Sequence, residues 1–260
     1  MSDGFHLPAS SQSARGVLAT GVALYRETLG VSAPLAVAAQ AIALLPHLPT
    51  LFAARGAAHA PPPGDGALLA LLVCLAASLV PWLAMTARCW ARAYGQDMDL
   101  GTALTRALRL LPRTLAATLL YVLLVTIGLA LLLVPGIYLG VALMLYPIIL
   151  LAEDRGYVES HQRSFHLLRG HWWRASLVVS APTTLVLVLG LLGQVLPLMS
   201  ALGMGGGALD APLLVFLVNA GTLLLYTLAL PLVTTVLIAL YHDLLLAHEA
   251  RGVMHGARAG

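Results

Sequence analysis

The chain has 260 residues, of which 60% are hydrophobic and only 10% are charged, and its formal net charge is +3. Soluble globular domains carry roughly 25% charged residues, so this composition excludes a water-soluble fold and indicates a chain that folds in lipid. The two cysteines, Cys74 and Cys89, would lie about 22 Å apart on one helix, which excludes a disulfide between them. The composition therefore predicts an all-α, polytopic integral membrane protein.

Six apolar runs are long enough to cross a bilayer, which takes about 20 residues. We predict transmembrane spans at 31–54, 67–87, 114–134, 136–152, 175–198 and 211–247. Residues 1–14 are polar and are expected to be disordered, residues 15–250 to form a single transmembrane domain, and residues 251–260 to form a cytoplasmic tail. We predict that the last run crosses once and is kinked by Pro231. The alternative of two short crossings would place the last arginines outside.

A Pro-Gly pair, Pro135–Gly136, interrupts the apolar sequence LALLLVPGIYLGVALMLYPIILL. A single helix over 114–152 would be about 58 Å long and would place two arginine clusters on opposite sides of the membrane. A tight hairpin at Pro135–Gly136 instead places four arginine clusters on one side and leaves only Arg55 on the other. The distribution of arginine therefore predicts a structural turn at this pair, with both termini in the cytoplasm.

Three segments that precede spans carry apolar residues at helical spacing and are expected to lie in the plane of the membrane. Their apolar stripes are Leu18, Val22, Tyr25 and Leu29, then Leu100, Leu104, Leu108 and Leu111, then Val158, Phe165, Leu168 and Trp172. Two or three interfacial helices are thus predicted. One such helix followed by two spans, three times over, would form parallel repeats. Generic amphipathicity is the alternative explanation of the likeness.

The first five predicted spans, and the apolar core of the sixth from Ala211 to Leu240, contain no Asp, Glu, Arg or Lys, which counts against a pump, a proton-coupled carrier or a cation channel. Gln40, Gln194 and Asn219 are polar residues within spans, and interhelical hydrogen bonding is the alternative to ligand binding there. Histidines at 161, 166 and 171 are spaced by five residues, so they would point to different faces of a helix. We therefore predict no metal site and no cofactor.

The arginines around the third amphipathic segment are the feature that rises above this background. Arginine near a membrane surface attracts anionic lipid, and tryptophan anchors at the same level. The predicted contacts to anionic lipid or phosphate are Arg155, Arg163, Arg169, Arg174, Trp172 and Trp173. The alternative is that these arginines only orient the chain in the membrane.

The stretch from LLLVPGIYLG to RGHWWR also carries a family resemblance. Its features are Pro135–Gly136, Glu153–Asp154, Arg163–Ser164 and Arg169–Gly170, and the end of the chain adds Tyr241, Asp243 and Glu249. In these it resembles the membrane domain attached to some glycerophosphodiester phosphodiesterases, and the stand-alone YciC-like uncharacterised bacterial inner-membrane proteins. The resemblance implies a polytopic inner-membrane protein of largely unknown role. The chain has no room for the soluble diesterase domain, so that activity is not implied.

These observations predict a non-enzymatic inner-membrane protein that supports envelope or lipid homeostasis through its arginine-rich cytoplasmic face. Its expected partners are membrane lipids, among them anionic lipids, and no nucleic acid. The alternative is a transporter or permease for an uncharged or lipid-like solute, which should have a cavity near mid-membrane lined by Gln40, Gln194 or Asn219. A third class, an intramembrane enzyme, should bring acids and histidines together, from Glu153, Asp154, His242 and Asp243. Neither protein partners nor an oligomeric state follow from the sequence.

Overall fold

A computed structural model of the protein describes residues 5–47, 66–201 and 212–259, and this part of the chain is helical, with no strand. The helices are α1 (Ala14–Leu44), α2 (Ala67–Ala93), α3 (Leu100–Leu131), α4 (Leu133–Leu143), α5 (Tyr146–Glu153), α6 (Tyr157–Leu168), α7 (Trp172–Ala201) and α8 (Pro212–Ala259). A short 3-10 turn, Leu45–His47, follows α1. The prediction of an all-α polytopic bundle is confirmed.

Among the described residues, five stretches are long and apolar enough to cross a membrane. They are Ala14–Leu44, Leu68–Ala93, Leu100–Leu131, Leu133–Glu153 and Leu224–Ala250, and α7 adds the shorter apolar stretch Trp172–Val188. The last run forms one helix, α8, which passes through Pro231 without a break. The predicted connections at 55–66 and 199–210 lie largely outside the described residues.

The first two amphipathic segments are continuous with the spans that follow them, which corrects the prediction of separate interfacial helices there. Ser13 caps α1 and Asp99 caps α3, each accepting a hydrogen bond from a backbone N–H of the first turn. Neither helix contains a left-handed residue that would end it. Only the third segment, α6, is a separate helix, because Gly170 adopts φ +83° and turns the chain before α7 begins. The three predicted repeat units therefore differ in their elements.

Small residues, rather than the predicted leucines, form the face that α3 turns toward the bundle. Ala103, Ala107 and Thr114 are buried, whereas Leu100 and Leu108 are 46% and 57% exposed. Membrane helices gain no hydrophobic stabilisation by hiding leucine from lipid, whereas small side chains let their backbones approach closely. Leu100 and Leu108 thus face outward, whereas Leu104 of the same predicted stripe packs partly against the core.

The chain reverses between α3 and α4, but the break falls at Leu132 rather than at Pro135–Gly136. Leu132 is extended, with φ −161° and ψ 146°, and Pro135 lies in the first turn of α4, where its missing N–H is not needed. Gly136 is helical, so it does not make the turn. A Cβ on Gly128 would lie 2.9 Å from the Cα of Gly136, so these glycines allow the two helices to touch.

The fourth predicted span is divided into α4 and α5 by a short break at residues 144–145. The hydroxyl of Ser164 on α6 donates to the carbonyl oxygen of Ala142 over 2.9 Å and accepts from the backbone N–H of Leu145 over 3.3 Å. Because backbone groups freed inside an apolar layer must find partners, this buried serine satisfies the break and fixes α6 against it.

Candidate functional site

Long-range hydrogen bonds collect the arginine-bearing segments at one end of the bundle, here called the arginine-rich end. The guanidinium of Arg88 donates to the carbonyl oxygen of Val31 on α1 over 3.3 Å. Arg106 on α3 donates to the carbonyl oxygen of Leu151 on α5 over 2.7 Å. Segments that are far apart in sequence therefore share this end, as a positive-inside arrangement requires.

At this end, Glu153 is the centre of a cluster that joins three helices. Its carboxylate accepts a hydrogen bond from the Tyr241 hydroxyl of α8 over 2.8 Å and from Nε of Arg163 on α6 over 3.2 Å. Arg155 also pairs with it. Charge-assisted hydrogen bonds are roughly twice as strong as neutral ones, so this Glu153 cluster fixes α5, α6 and α8 to each other.

A second ion pair fixes the N-terminal segment across the same end. Arg174 on α7 pairs with Asp243 on α8, whose carboxylate is almost fully buried. Asp243 also accepts from the backbone N–H of Gln12 over 2.7 Å, and Arg174 donates to the hydroxyl of Ser11 over 3.3 Å and to the carbonyl oxygen of Gln12. Disorder was expected through residue 14. These contacts correct that expectation for the described part of the N-terminus, because buried charges hold it.

Of the four arginines predicted to contact anionic lipid, three are therefore already paired within the protein. Arg155 and Arg163 share Glu153, and Arg174 pairs with Asp243. Among the residues that the structure describes, Arg169 is exposed and has neither an ion pair nor a side-chain hydrogen bond. The same holds for Arg15, Arg26 and Arg109. We call these four the free arginines.

The two predicted tryptophans lie directly after the turn that follows Arg169. Trp172 stacks on Tyr138 with ring centroids 5.5 Å apart, and its indole N–H donates to the Tyr138 carbonyl oxygen over 3.2 Å. Trp173 packs edge-on against Trp172 and is 77% exposed. An anchored tryptophan thus supports an exposed one beside a free arginine.

The residues named for an enzyme do not assemble into an acid–base site. Glu153 and Asp243 are held by different arginines, and Asp154 pairs with Arg113 over 2.7 Å. Nε2 of His242 lies 3.0 Å from the carbonyl oxygen of Pro8. Within the described ranges, no three His, Cys, Asp or Glu side chains lie where they could hold a metal ion.

A cavity of about 260 Å³ lies between the helices, at a distance from the arginine-rich end. Its lining comes from α1, α2, α3, α5 and α8 and consists of Ala39, Gln40, Ala43, Ser78, Leu79, Trp82, Thr118, Tyr146 and Leu230. Gln40 is nine residues beyond Val31, which contacts Arg88, so the cavity lies about 14 Å from that contact along α1. The lining helices include α1, α2 and α3, each long and apolar enough to cross a membrane, so this inner cavity lies among candidate spans.

Uncharged polar groups mark one part of this inner cavity. The hydroxyls of Thr118 and Tyr146 are hydrogen-bonded over 2.9 Å. The side-chain amide of Gln40 has no hydrogen-bond partner among the described residues, although it carries two donors and an acceptor. The side chains of Gln194 and Asn219, the other two polar residues predicted in spans, lie outside the described part of the structure. Gln40 therefore lines a cavity among the candidate spans, while the permease alternative itself stays a prediction.

Sequence reasoning did not find His161, which packs against the wall of this cavity. Its ring stacks on that of Tyr146 with centroids 4.9 Å apart, and its Nδ1 lies 2.7 Å from the Tyr157 carbonyl oxygen. The side chain is 4% exposed and its Nε2 is buried without a partner. This burial lowers the pKa of His161, against the opposing effect of the Tyr157 carbonyl. The sequence named it only in the series His161, His166 and His171, whose spacing argues against a shared metal, and no sequence signal placed it against Tyr146.

Comparison with known proteins gives a family but no function. No curated protein and no solved structure matches the chain. The model of an uncharacterised protein family (UPF0259) matches residues 82–228, more than half of the chain. This match fits the resemblance to uncharacterised YciC-like membrane proteins, while a relationship to the diesterase-attached membrane domain stays a prediction. The protein therefore belongs to the uncharacterised family UPF0259.

Proposed function

We propose that this protein is a non-enzymatic bacterial inner-membrane protein that binds anionic lipid at its arginine-rich end and serves envelope or lipid homeostasis. In this proposal both termini and the arginine-rich end face the cytoplasm, because arginine favours that side of the membrane. The anionic headgroups of that leaflet are then within reach of the exposed guanidiniums.

The observation that carries the proposal is the exposed pair of Arg169 and Trp173. A guanidinium without an internal partner can bind a phosphate through two parallel hydrogen bonds. An indole at the same level lies where tryptophan is favoured, at the boundary between headgroups and hydrocarbon. Each arginine near an anionic surface contributes about 1 kcal/mol of attraction.

The pairing of the acids supports a role without catalysis. General acid–base catalysis needs a carboxyl or imidazole group within reach of a substrate. Glu153 and Asp243 are instead bound to arginines that fix neighbouring helices and the N-terminal segment. Their arrangement supports a structural role for both acids.

The test compares a free arginine with a paired one. Arg169→Gln should lower the affinity for phosphatidylglycerol by about fivefold, the equivalent of about 1 kcal/mol, and leave phosphatidylcholine binding unchanged. The matched control is Arg113→Gln with Asp154→Asn, which removes an exposed ion pair without changing the net charge. Native mass spectrometry of protein released from nanodiscs of each lipid would count the bound molecules.

Two results would contradict the proposal. Full retention of phosphatidylglycerol by Arg169→Gln would show that this arginine only orients the chain. An equal loss in the Arg113 and Asp154 control would show that lipid retention follows general stability rather than the free guanidinium. Trp173→Ala, which changes no charge, should weaken retention of both lipids to a similar extent, since indole anchoring does not depend on headgroup charge.

A further inference from the structure

We infer that the inner cavity is a binding site for a neutral lipid, that is, a hydrocarbon chain joined to an uncharged hydrogen-bonding group such as an ester or a hydroxyl. The inference stands on the cavity alone and does not depend on anionic lipid binding at the arginine-rich end. It gives the permease alternative a ligand class, without requiring that the ligand be transported.

The polarity of the lining selects an uncharged ligand. Among the described residues that line the cavity there is no Asp, Glu, Arg, Lys or His, so a charge bound there would meet no counter-ion from them. The lining does offer the amide of Gln40, the indole of Trp82 and the hydroxyl pair of Thr118 and Tyr146. A polar amide in the hydrocarbon layer without a partner is costly, so a ligand that hydrogen-bonds Gln40 would remove that cost.

The size and the apolar part of the lining favour hydrocarbon over water. The cavity has a volume of about 260 Å³ and most of its lining is apolar. Leu79, Leu230 and the body of Trp82 suit an acyl chain. A ligand with one polar group near Gln40 and a hydrocarbon chain against the apolar wall would match both parts of the lining.

The position of the cavity favours neutral lipids over charged ones. Gln40 lies about 14 Å along α1 from the Arg88–Val31 contact, and the lining includes helices long and apolar enough to cross a membrane. A lipid with a charged headgroup would have to bury that charge to reach Gln40, whereas a neutral glyceride can place its ester at this depth. The inference therefore predicts that neutral and charged chains of equal length are distinguished.

The experiment uses the purified full chain in nanodiscs and two photoactivatable probes. One is a diacylglycerol with a diazirine in its acyl chain, and the other is a fatty acid with the same chain and an anionic carboxylate. Peptide mapping after illumination should place the diacylglycerol adduct on α1 and α2 around Gln40 and Trp82. Labelling by the fatty acid should be at least tenfold lower.

Two variants on α1 form a matched pair. Ala43→Phe fills the cavity from its lining and should reduce diacylglycerol labelling at least tenfold. Val37→Phe adds the same ring on the outer face, where Val37 is 54% exposed, and should leave labelling unchanged. Gln40→Leu keeps the size of the side chain but removes one or two neutral hydrogen bonds, so labelling affinity should fall by about fivefold.

Three results would overturn the inference. Equal labelling by the anionic and neutral probes would exclude selection by the uncharged lining. Wild-type labelling of Ala43→Phe would place the adduct outside the cavity. Failure of unlabelled diacylglycerol to reduce the labelling would show that the probe does not occupy a saturable site. If Gln40→Leu does not fold, the Ala43→Phe and Val37→Phe pair still decides. Retention of phosphatidylglycerol should be the same in both phenylalanine variants, which separates this inference from the proposed function.

Discussion

Replacement of Gly21 by alanine should destabilise the packing of α1 against α8, whereas the same change at Gly30 should not. Gly21 is buried, and a Cβ there would lie 2.8 Å from both the Cα and the Cγ2 of Val236. The Cα is backbone and cannot rotate away. Gly30 lies on the same helix, and a Cβ there would meet nothing within 4 Å. The two substitutions are chemically identical and differ only in this neighbour.

The magnitude follows from the two distances. Non-bonded carbon atoms pack best at about 3.5–4.0 Å, so α1 and α8 would have to separate by roughly 0.7 Å at this point. Overpacking of this kind costs about 1–3 kcal/mol. Alanine also gains about 1 kcal/mol over glycine in a helix interior, and this gain is common to both sites. Gly21→Ala should therefore be less stable than Gly30→Ala by about 1–3 kcal/mol.

Reversible unfolding in mixed micelles, with rising mole fraction of denaturing detergent and circular dichroism as the signal, measures this difference. Adding Val236→Ala to Gly21→Ala should recover only part of the loss, because it removes Cγ2 but leaves the equally close Cα. Equal stability of Gly21→Ala and Gly30→Ala would refute the close approach of α1 and α8. Full recovery in the double variant would show that only the side chain of Val236 was in contact.

At the hairpin, Gly136→Ala should cost about 1–3 kcal/mol in the same titration, because its Cβ would lie 2.6 Å from a backbone nitrogen of α3. Gly140→Ala, 3.8 Å from its nearest neighbour, should cost nothing, and equal losses would argue against the observed turn. Glu153→Gln should lower the free energy of unfolding by about 1.5–3 kcal/mol, since it weakens hydrogen bonds to a charged group; an unchanged value would mean that the cluster does not hold its helices. The lowered pKa of His161 means that the unfolded chain takes up a proton more readily, so stability should fall as the pH drops below about 6.5. His161→Phe should reduce this dependence on pH in thermal denaturation, His166→Gln should not, and identical profiles for both would contradict the burial of His161.

Much of the fold could be predicted because lipid leaves few choices to a backbone. A segment in hydrocarbon must satisfy its own hydrogen bonds, so each long apolar run had to be a helix. The rotation of each helix was harder to predict. Leu100 and Leu108 look like a packing stripe by the rules of soluble proteins, yet Ala103 and Ala107 face the bundle. Which face is inside depends on how closely the neighbouring backbone approaches, and hydropathy does not report this.

The position of the hairpin shows the same limit on a smaller scale. Pro135 predicted that the chain reverses nearby, since proline lacks the donor that an interior helical position needs. The first turn of a helix has unpaired N–H groups in any case, so Pro135 could also begin α4, and the break moved to Leu132. Gly136 was assigned to the turn for its conformational freedom. The spacing of Gly136 and Gly140 also predicts a close approach of helices, but only Gly136 is in such an approach, against Gly128 and Leu129 of α3.

The candidate site was predictable as a set of residue types but not as a set of pairs. The distribution of charge predicted that the arginines lie at one end. It did not predict that Arg163 pairs with Glu153, or that Tyr241 of another helix donates a hydrogen bond to the same carboxylate. Likewise Gln40 could be identified from the sequence as a polar residue in an apolar run. The contribution of the Thr118 and Tyr146 hydroxyls to the same cavity could not, because it depends on α3 and α5 both facing that cavity. Such pairings depend on tertiary packing between segments far apart in sequence.

The division between paired and free arginines separates stability from lipid binding at the arginine-rich end. Arg174 adds little net charge there, because Asp243 cancels it, and loss of Arg174 leaves this buried acid without a counter-ion. Loss of Arg174 should therefore lower the free energy of unfolding, since Asp243 is only 4% exposed. An exposed arginine without an internal partner does not contribute to stability in this way. Loss of Arg169 should therefore lower the affinity for anionic lipid and leave the free energy of unfolding unchanged. Orientation by positive charge alone would make no distinction between these two kinds of arginine, because it depends on their number and side of the membrane. A stability loss confined to paired arginines, together with a lipid-binding loss confined to free ones, can therefore arise only if both kinds of arginine work as the geometry assigns them.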